Sequence, residues 1–409
     1  MATIIGGIGT SHVPTIGMAY DKGKQDDPAW KPLFDGYAPV ARWLAERKPD
    51  VLVFFYNDHV TSFFFDNYPT FTIGVDPSFR LADEGAGVRP LPPLRGHPAL
   101  AAHITESLVN DEFDMSVFQD RPLDHGCNSP LSLMWPHAPD WPGALVPIAI
   151  NVLRYPLPTP LRCYKLGQAV RRAVESYPED LSVVIVGTGG LSHQVHGERT
   201  GFNNTEWDMR FLDLIERDPV ALTAMRHADY VRLGGAEGAE VIMWLAMRGA
   251  LSDDIVKVHQ NYYLPFTTAM TVVVFEEREP GRQPLDAATH LRTQLEGMED
   301  IEGTYPFDVG QSIRTLRMNR FLWSLTVPAH RELFRSDPDA AFDKAALTSE
   351  ERDFIRRRDW QGMIHYGVNF FGLEKLARVD GIPNAIVYAG MRGESLDDFL
   401  KTRNMPAAR

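Results

Sequence analysis

The sequence predicts an α/β catalytic domain, a central mixed sheet flanked by helices, followed by a C-terminal all-α domain. Three observations predict it. In the first two thirds of the chain, short apolar runs of strand length alternate with amphipathic runs of helix length. At residues 276–284 a polar, turn-rich stretch, EEREPGRQP, interrupts that pattern. Beyond it the strand signals stop and helical periodicity takes over. With 409 residues, 44% hydrophobic and 23% charged, the chain has material for two such cores. The domains are expected at 1–278 and 279–409.

Taken in order, strands are expected at residues 3–5, 51–56, 71–75, 146–152, 182–186 and 268–275, where β-branched and aromatic residues cluster. Helical patterns fill residues 37–47, 100–109, 161–175 and 237–247 between them. Residues 81–98 are rich in Pro and Gly and read as a loop. After the junction, helices are expected at 285–298, 312–325, 328–336, 349–357, 360–375 and 395–402.

Composition removes several function classes. The net charge is -13 and no Lys/Arg block occurs, so neither nucleic acid nor an anionic membrane is an expected partner. No stretch approaches the roughly 18 uncharged apolar residues of a membrane helix, and MATIIGGIGTSHVP lacks a basic leader, so a cytoplasmic address is expected. Cys127 and Cys163 are the two cysteines, too few for a disulfide scaffold or a zinc cluster.

The chemistry-bearing residues gather at expected strand ends. IGGIGTSHVP (5–14) and VGTGGLSHQVHG (186–197) share one design: an apolar run, glycines, then Ser-His. His12 and His193 thus fall where α/β sheets present functional groups, and His59 follows VLVFFYND in the same way. A loop histidine taken alone is more often a packing or surface residue. The glycines also invite a nucleotide reading, but neither cluster has G-x-G-x-x-G spacing or a phosphate-binding Lys-Ser/Thr. In GGAEGAEVIMWLAMR, Glu237 and Glu240 open a helix, where a carboxylate complements the dipole; that reading suits Glu237. Glu240 leads into an apolar run, and a buried carboxylate wants a cation beside it. Two histidines and a carboxylate suit Fe(II) in a facial triad, with zinc as the rival metal of a hydrolase.

The segments TSHVPT, FFYNDHVTSFFFD, RPLDHGCNSPL, GTGGLSHQVHGER, GAEVIMWLAMRGAL and RRDWQGMIHYGVNFFGLEKL together resemble the class III extradiol dioxygenases of the protocatechuate 4,5-dioxygenase type. The resemblance covers essentially the whole chain. In that family a large catalytic subunit pairs with a small helical one, and in gallate-cleaving members the two are fused in that order. The resemblance implies Fe(II) on His12, His59 and Glu240, with His193 as acid/base and His125 as a second active-site histidine. It places Asn57 beside the metal and Thr267 against the substrate carboxylate. Each has an ordinary alternative: Asn57 as a turn residue, Thr267 as a strand-start threonine. A neutral histidine is well matched to taking a catechol proton at neutral pH.

The helical domain carries the expectation about substrate. In NFFGLEKLA (369–377), Glu374 stands where the protocatechuate pattern has an aromatic residue, and Tyr388 in IVYAGM replaces a glycine. Gallate carries one hydroxyl more than protocatechuate, which Glu374 can accept and Tyr388 can contact. The alternative for Glu374 is a surface pair with Lys375 or Arg378. Val13 and the final KTRNMPAAR depart from the relatives' pattern, which bears on substrate choice. The expected activity is therefore extradiol cleavage of gallate, a small aromatic acid, by O2, in a homodimer. Protocatechuate or 3-O-methylgallate are the rival substrates; a zinc hydrolase and a non-catalytic binding protein are the rival classes.

Overall fold

The computed structural model describes residues 1–154, 156–280, 297, 300–305 and 307–401. The chain divides into two compact units, Met1–Gln294 and Leu295–Arg409. The expected helix at 285–298 lies outside the described residues except for Gly297, as do residues 402–409 of the final segment.

Among its described residues the first unit contains ten strands: β1 (Thr3–Thr10), β2 (Val51–Tyr56), β3 (Phe71–Gly74), β4 (Ser78–Phe79), β5 (Leu94–Arg95), β6 (Met115–Phe118), β7 (Ala144–Ile150), β8 (Ser182–Thr188), β9 (Ile255–Tyr263) and β10 (Met270–Glu277). Eight form one sheet in the order β6-β3-β7-β2-β8-β1-β10-β9, and β4 with β5 forms a separate pair. The sheet is mixed: β7, β2, β8 and β1 run parallel, while β10 is antiparallel to β1 and to β9. This topology positions the site. The neighbours β2, β8 and β1 end on the same edge, and the chain leaves each of them toward His59, His193 and His12.

The glycines of IGGIGT lie inside β1, not after it. Helix Ile242–Gly249 packs against that strand so closely that a Cβ on Gly9 would collide with the Trp244 ring, which is itself fully buried. The run therefore serves strand–helix packing rather than phosphate binding. The edge strand β9 was not expected. Its IVKVHQNYY mixes Lys257, His259 and Asn261 among apolar residues and is half-exposed, as edge strands commonly are.

Among the described residues of the second unit every regular element is a helix: Val309–Ser324, Pro328–Ser336, Pro338–Lys344, Ser349–Arg357, Trp360–Tyr366, Phe370–Val379, Asn384–Met391 and Leu396–Lys401. Its own core includes Met318, Leu322, Phe342, Ile355, Leu373 and Leu376. The single helix expected over 360–375 is two. Gly367, at φ 103°, ends the first, and Asn369 caps the second by accepting from Phe371 N at 3.0 Å. Among the described residues, no helix is long and apolar enough to cross a membrane.

Candidate metal centre and active site

His12 sits two residues past β1 and is buried. Its Nδ1–H donates to Thr188 Oγ1 at 2.9 Å, and the Thr188 hydroxyl donates in turn to the Phe55 carbonyl at 3.2 Å. That relay fixes the tautomer and leaves the Nε2 lone pair for the site. His59 is held by a different device. Asp124 Oδ2 accepts from the His59 backbone N at 2.7 Å and from Nδ1–H at 2.9 Å, again leaving Nε2. Asp58 braces the same turn by accepting from the N–H groups of Thr61, Ser62 and Phe63. Val60, the β-branched residue after His59, takes φ 63°, a strained conformation that this bracing maintains.

Glu240 comes from a 3-10 turn, Glu237–Val241, which precedes the α-helix beginning at Ile242; the expected regular helix from 237 is corrected to that extent. The tighter turn lies against Gly189, whose φ of 138° excludes other residues and whose Cβ would fall 2.7 Å from the Glu240 carbonyl oxygen. Glu240 Oε2 is 3.0 Å from His12 Nε2, and Oε1 is 3.4 Å from His59 Nε2. Burial works against the carboxylate's charge, but His12, His59 and His193 hold its pKa well below the ordinary value. At His12 burial dominates over the neighbouring Glu240 and lowers the imidazole pKa from its ordinary value. At His59 burial opposes the charged form, yet Asp124 and Glu240 prevail and raise its pKa to about 10. Without an ion, then, a proton on His59 offsets the two carboxylates; a metal cation can take over that role, so its uptake should strengthen as pH rises.

The residues fit a metal ion. The ligand atoms of His12, His59 and Glu240 all lie within 4.8 Å of one another. His12 Nε2 is buried and, despite its proximity to Glu240, makes no well-directed hydrogen bond. At metal–ligand bonds of about 2.1 Å, neighbouring ligand atoms lie about 3.0 Å apart at octahedral angles and about 3.4 Å apart at tetrahedral ones. Each histidine Nε2 lies at such a distance from one Glu240 oxygen, His12 at 3.0 Å from Oε2 and His59 at 3.4 Å from Oε1, so the donor set fits a metal ion whose identity must come from the chemistry. Asn57 Nδ2 lies 3.1 Å from His59 Nε2 and 3.3 Å from Glu240 Oε1, so this residue abuts the cluster rather than only shaping a turn. Asp124→Asn is expected to weaken metal binding about 10–100-fold, since the amide loses the negative charge beside His59 and has one oxygen for two tasks, accepting from His59 at Oδ2 and from Gly126 N at Oδ1; titration against a competing chelator measures it.

His193 joins the same site. Its Nδ1–H donates to the Leu191 carbonyl at 2.7 Å, and Nε2 lies 3.9 Å from Glu240 Oε2, farther out than His12 and His59. Ser192 is locked beneath it by buried Asp208, which accepts from Ser192 N at 2.8 Å and Oγ at 2.7 Å. His125 is the first residue of helix His125–Met134, not part of a free turn. Its ring lies over that of His59, with centroids 3.9 Å apart and planes 31° apart. Thr267 precedes β10 in a loop, so it is not a strand-start threonine. Asn203 Nδ2 donates to both the Thr267 carbonyl at 3.0 Å and the Ser192 carbonyl at 2.6 Å, which ties Thr267 to the His193 turn.

Glu374 and Tyr388 belong to the second unit. Glu374 is largely buried and accepts from Asn384 Nδ2 at 2.7 Å; Lys375 Nζ lies 3.9 Å away. Tyr388 stacks on Phe370 at a centroid distance of 5.6 Å. Asp124, Thr188, Glu84 and Asp208 were not anticipated as site residues. Glu237, read as a dipole partner, accepts from Val195 N at 2.9 Å and contacts His196 Nδ1, so it grips the segment after His193.

Comparison with known proteins gives this geometry its chemistry. Residues 6–274 match the family model described as the catalytic LigB subunit of aromatic ring-opening dioxygenase. The chain belongs to this family. Residues 318–404 match the LigA subunit of the aromatic-ring-opening dioxygenase LigAB, so both parts occur in one chain, which is an oxidoreductase of the dioxygenase class. The chain is similar to a gallate dioxygenase of Pseudomonas putida, at 54% identity over 79% of this chain and 96% of that protein. It is also similar to two enzymes named 2,3-dihydroxyphenylpropionate/2,3-dihydroxicinnamic acid 1,2-dioxygenase. The one from Pseudomonas putida is 29% identical over 62% of this chain and 92% of its own length. The one from Burkholderia vietnamiensis is 28% identical over 50% and 76%.

Proposed function

We propose that this chain cleaves gallate with O2 in the extradiol manner, using Fe(II) held by His12, His59 and Glu240. One observation carries the reading: the buried two-histidine, one-carboxylate cluster occurs in a chain 54% identical to a gallate dioxygenase over most of its length. Of the two metals that the geometry admits, iron suits a dioxygenase. When bound, Fe(II) supplies the redox chemistry that lets O2 react with a catechol, which zinc cannot.

The protein's own groups do the remainder. His193 offers a lone pair at Nε2, because Nδ1–H is committed to the Leu191 carbonyl, and so takes a catechol proton. His125 serves as a second hydrogen-bonding histidine beside His59. Asn57 steadies the metal ligands, and Thr267 contacts the substrate carboxylate. The catalytic domain is assigned to residues 1–278 and the helical lid to 279–409. The third hydroxyl of gallate is read by Glu374, whose carboxylate keeps acceptor capacity beyond Asn384, with Tyr388 beside it. The product is an oxalomesaconate-type acid containing both oxygen atoms of O2. A cytoplasmic homodimer is the setting we assign.

The test is O2 uptake by anaerobically purified, Fe(II)-loaded protein with gallate, protocatechuate and 3-O-methylgallate in parallel, against a zinc-loaded control. Uptake with gallate and none with zinc is expected. Equal use of protocatechuate would remove the selectivity roles of Glu374 and Tyr388. Glu374→Leu is expected to lower the preference for gallate over protocatechuate by about 10- to 100-fold, the loss of one hydrogen bond to a charged acceptor; the ratio of kcat/KM values reads it.

A further inference from the structure

The Pro/Gly-rich loop after β4 reads in sequence as a connection, yet it is stitched to the site at three points. Leu81 forms a parallel bridge with Leu123, with Ala82 N donating to the Leu123 carbonyl at 2.9 Å and Leu123 N to the Arg80 carbonyl at 2.9 Å. Asp83 Oδ1 turns the next residues by accepting from Gly85 N at 2.9 Å and Gly87 N at 3.0 Å. Arg89 then anchors the loop to the helices that follow His12 and begin at His125. It donates to Asp21 at 2.7 Å, the Gly17 carbonyl at 3.1 Å and the Asn128 carbonyl at 2.9 Å.

Between these anchors stands Glu84. Its Oε2 accepts from the His125 backbone N at 2.9 Å, and its Oε1 accepts from His125 Nδ1–H at 2.5 Å. One carboxylate thus grips the main chain and the ring of one histidine. Asp124 grips His59 by the same two donors, and the two gripped rings lie face to face. Nothing in that arrangement is required merely to close a loop. A carboxylate that only capped the helix beginning at His125 would need the backbone N–H and not the ring.

We propose that Glu84 is a positioning residue for the ring-opening reaction. It acts through His125, fixing the plane of that ring and holding its proton on Nδ1, so that Nε2 is the nitrogen His125 presents to the bound substrate or to O2. Such outer partners of site histidines are commonly worth 10–100-fold in activity. The inference rests on the reading that His125 serves the proposed reaction.

Glu84→Gln tests it, because the side-chain carbonyl keeps an acceptor for the backbone N–H but cannot also accept from the ring. The expected result is a kcat for gallate lower by about 10–100-fold, with KM and bound metal little changed. In a His125→Ala background the same substitution should change nothing further, since the two residues act as one unit. A second readout is independent of turnover: long-range proton–nitrogen correlation of the histidine rings in metal-free protein. It should show His125 as the Nδ1–H form in the wild type and a mixture of tautomers in Glu84→Gln. Wild-type kcat in Glu84→Gln, an equal loss with and without His125, or an unchanged tautomer would each overturn the proposal. If the wild-type protein consumes no gallate, the proposed function fails, and the tautomer readout still decides whether Glu84 sets the ring.

Discussion

Glu240→Ala is expected to strip the protein of its metal and to lower ring opening to the level of the metal-free chain. The carboxylate is the one anionic ligand in the cluster, 3.0 Å from His12 Nε2 and 3.4 Å from His59 Nε2. Its removal leaves a divalent ion with two neutral imidazoles, a donor set without the charge that holds a hard cation. It also takes from His59 one of the two carboxylates that raise its pKa. Glu240→Gln separates ligand loss from misfolding, because it keeps the volume beside Gly189 and removes the charge. Metal analysis of purified protein, with a thermal melt of each variant, reads the outcome. Metal retained at the level of the unsubstituted protein would show that Glu240 is not a ligand.

The second large effect is expected at His193. Substitution by Ala should lower kcat by about 10²–10⁴-fold, the usual worth of a positioned general base, while leaving bound metal intact. The two readouts separate because His193 Nε2 stands 3.9 Å from Glu240 Oε2, outside the cluster of three ligand atoms. The turn itself should survive the change. It is held by the Ser192 bonds to Asp208 and by His193 N donating to the Gly234 carbonyl at 2.8 Å, none of which uses the imidazole. Single-turnover kinetics alongside metal analysis checks this. A loss of metal in His193→Ala would reassign the residue from base to ligand.

These two residues also show what a sequence discloses about such a site. His12, His59 and His193 were legible because each follows a strand after a short turn, and strands β2, β8 and β1 are strong local signals; β2 has the bounds expected for it. Glu240 was legible as a carboxylate heading a buried helix, although the 3-10 geometry of its turn depends on contact with Gly189, a tertiary fact. The partners that orient the histidines were not legible. Asp124 lies 65 residues from His59, and locally it is an ordinary helix cap, accepting from Gly126 N at 3.0 Å. Glu84 lies 41 residues from His125 in a stretch whose composition signals only a loop. Thr188 ends β8 as strand threonines often do, and its bond to His12 spans 176 residues. Pairings of that kind are set by sheet order and loop register, which local periodicity does not encode. The same limit hid β9, where polar residues on an edge strand mask the alternation. In the helical unit, Gly367 divides what periodicity reads as one helix, because a positive φ overrides an apolar pattern continuing past it.

We propose that His12, His59 and Glu240 hold an iron at which gallate's ring is opened by O2. It is tested most directly by turning over gallate under ¹⁸O2 with anaerobically prepared, Fe(II)-loaded protein and weighing the product. The expected product is a ring-opened tricarboxylic acid with both labelled atoms in it, formed by the iron-loaded protein and not by the zinc-loaded one. An oxidised ring left closed, a product labelled from water alone, or equal turnover with zinc would contradict it.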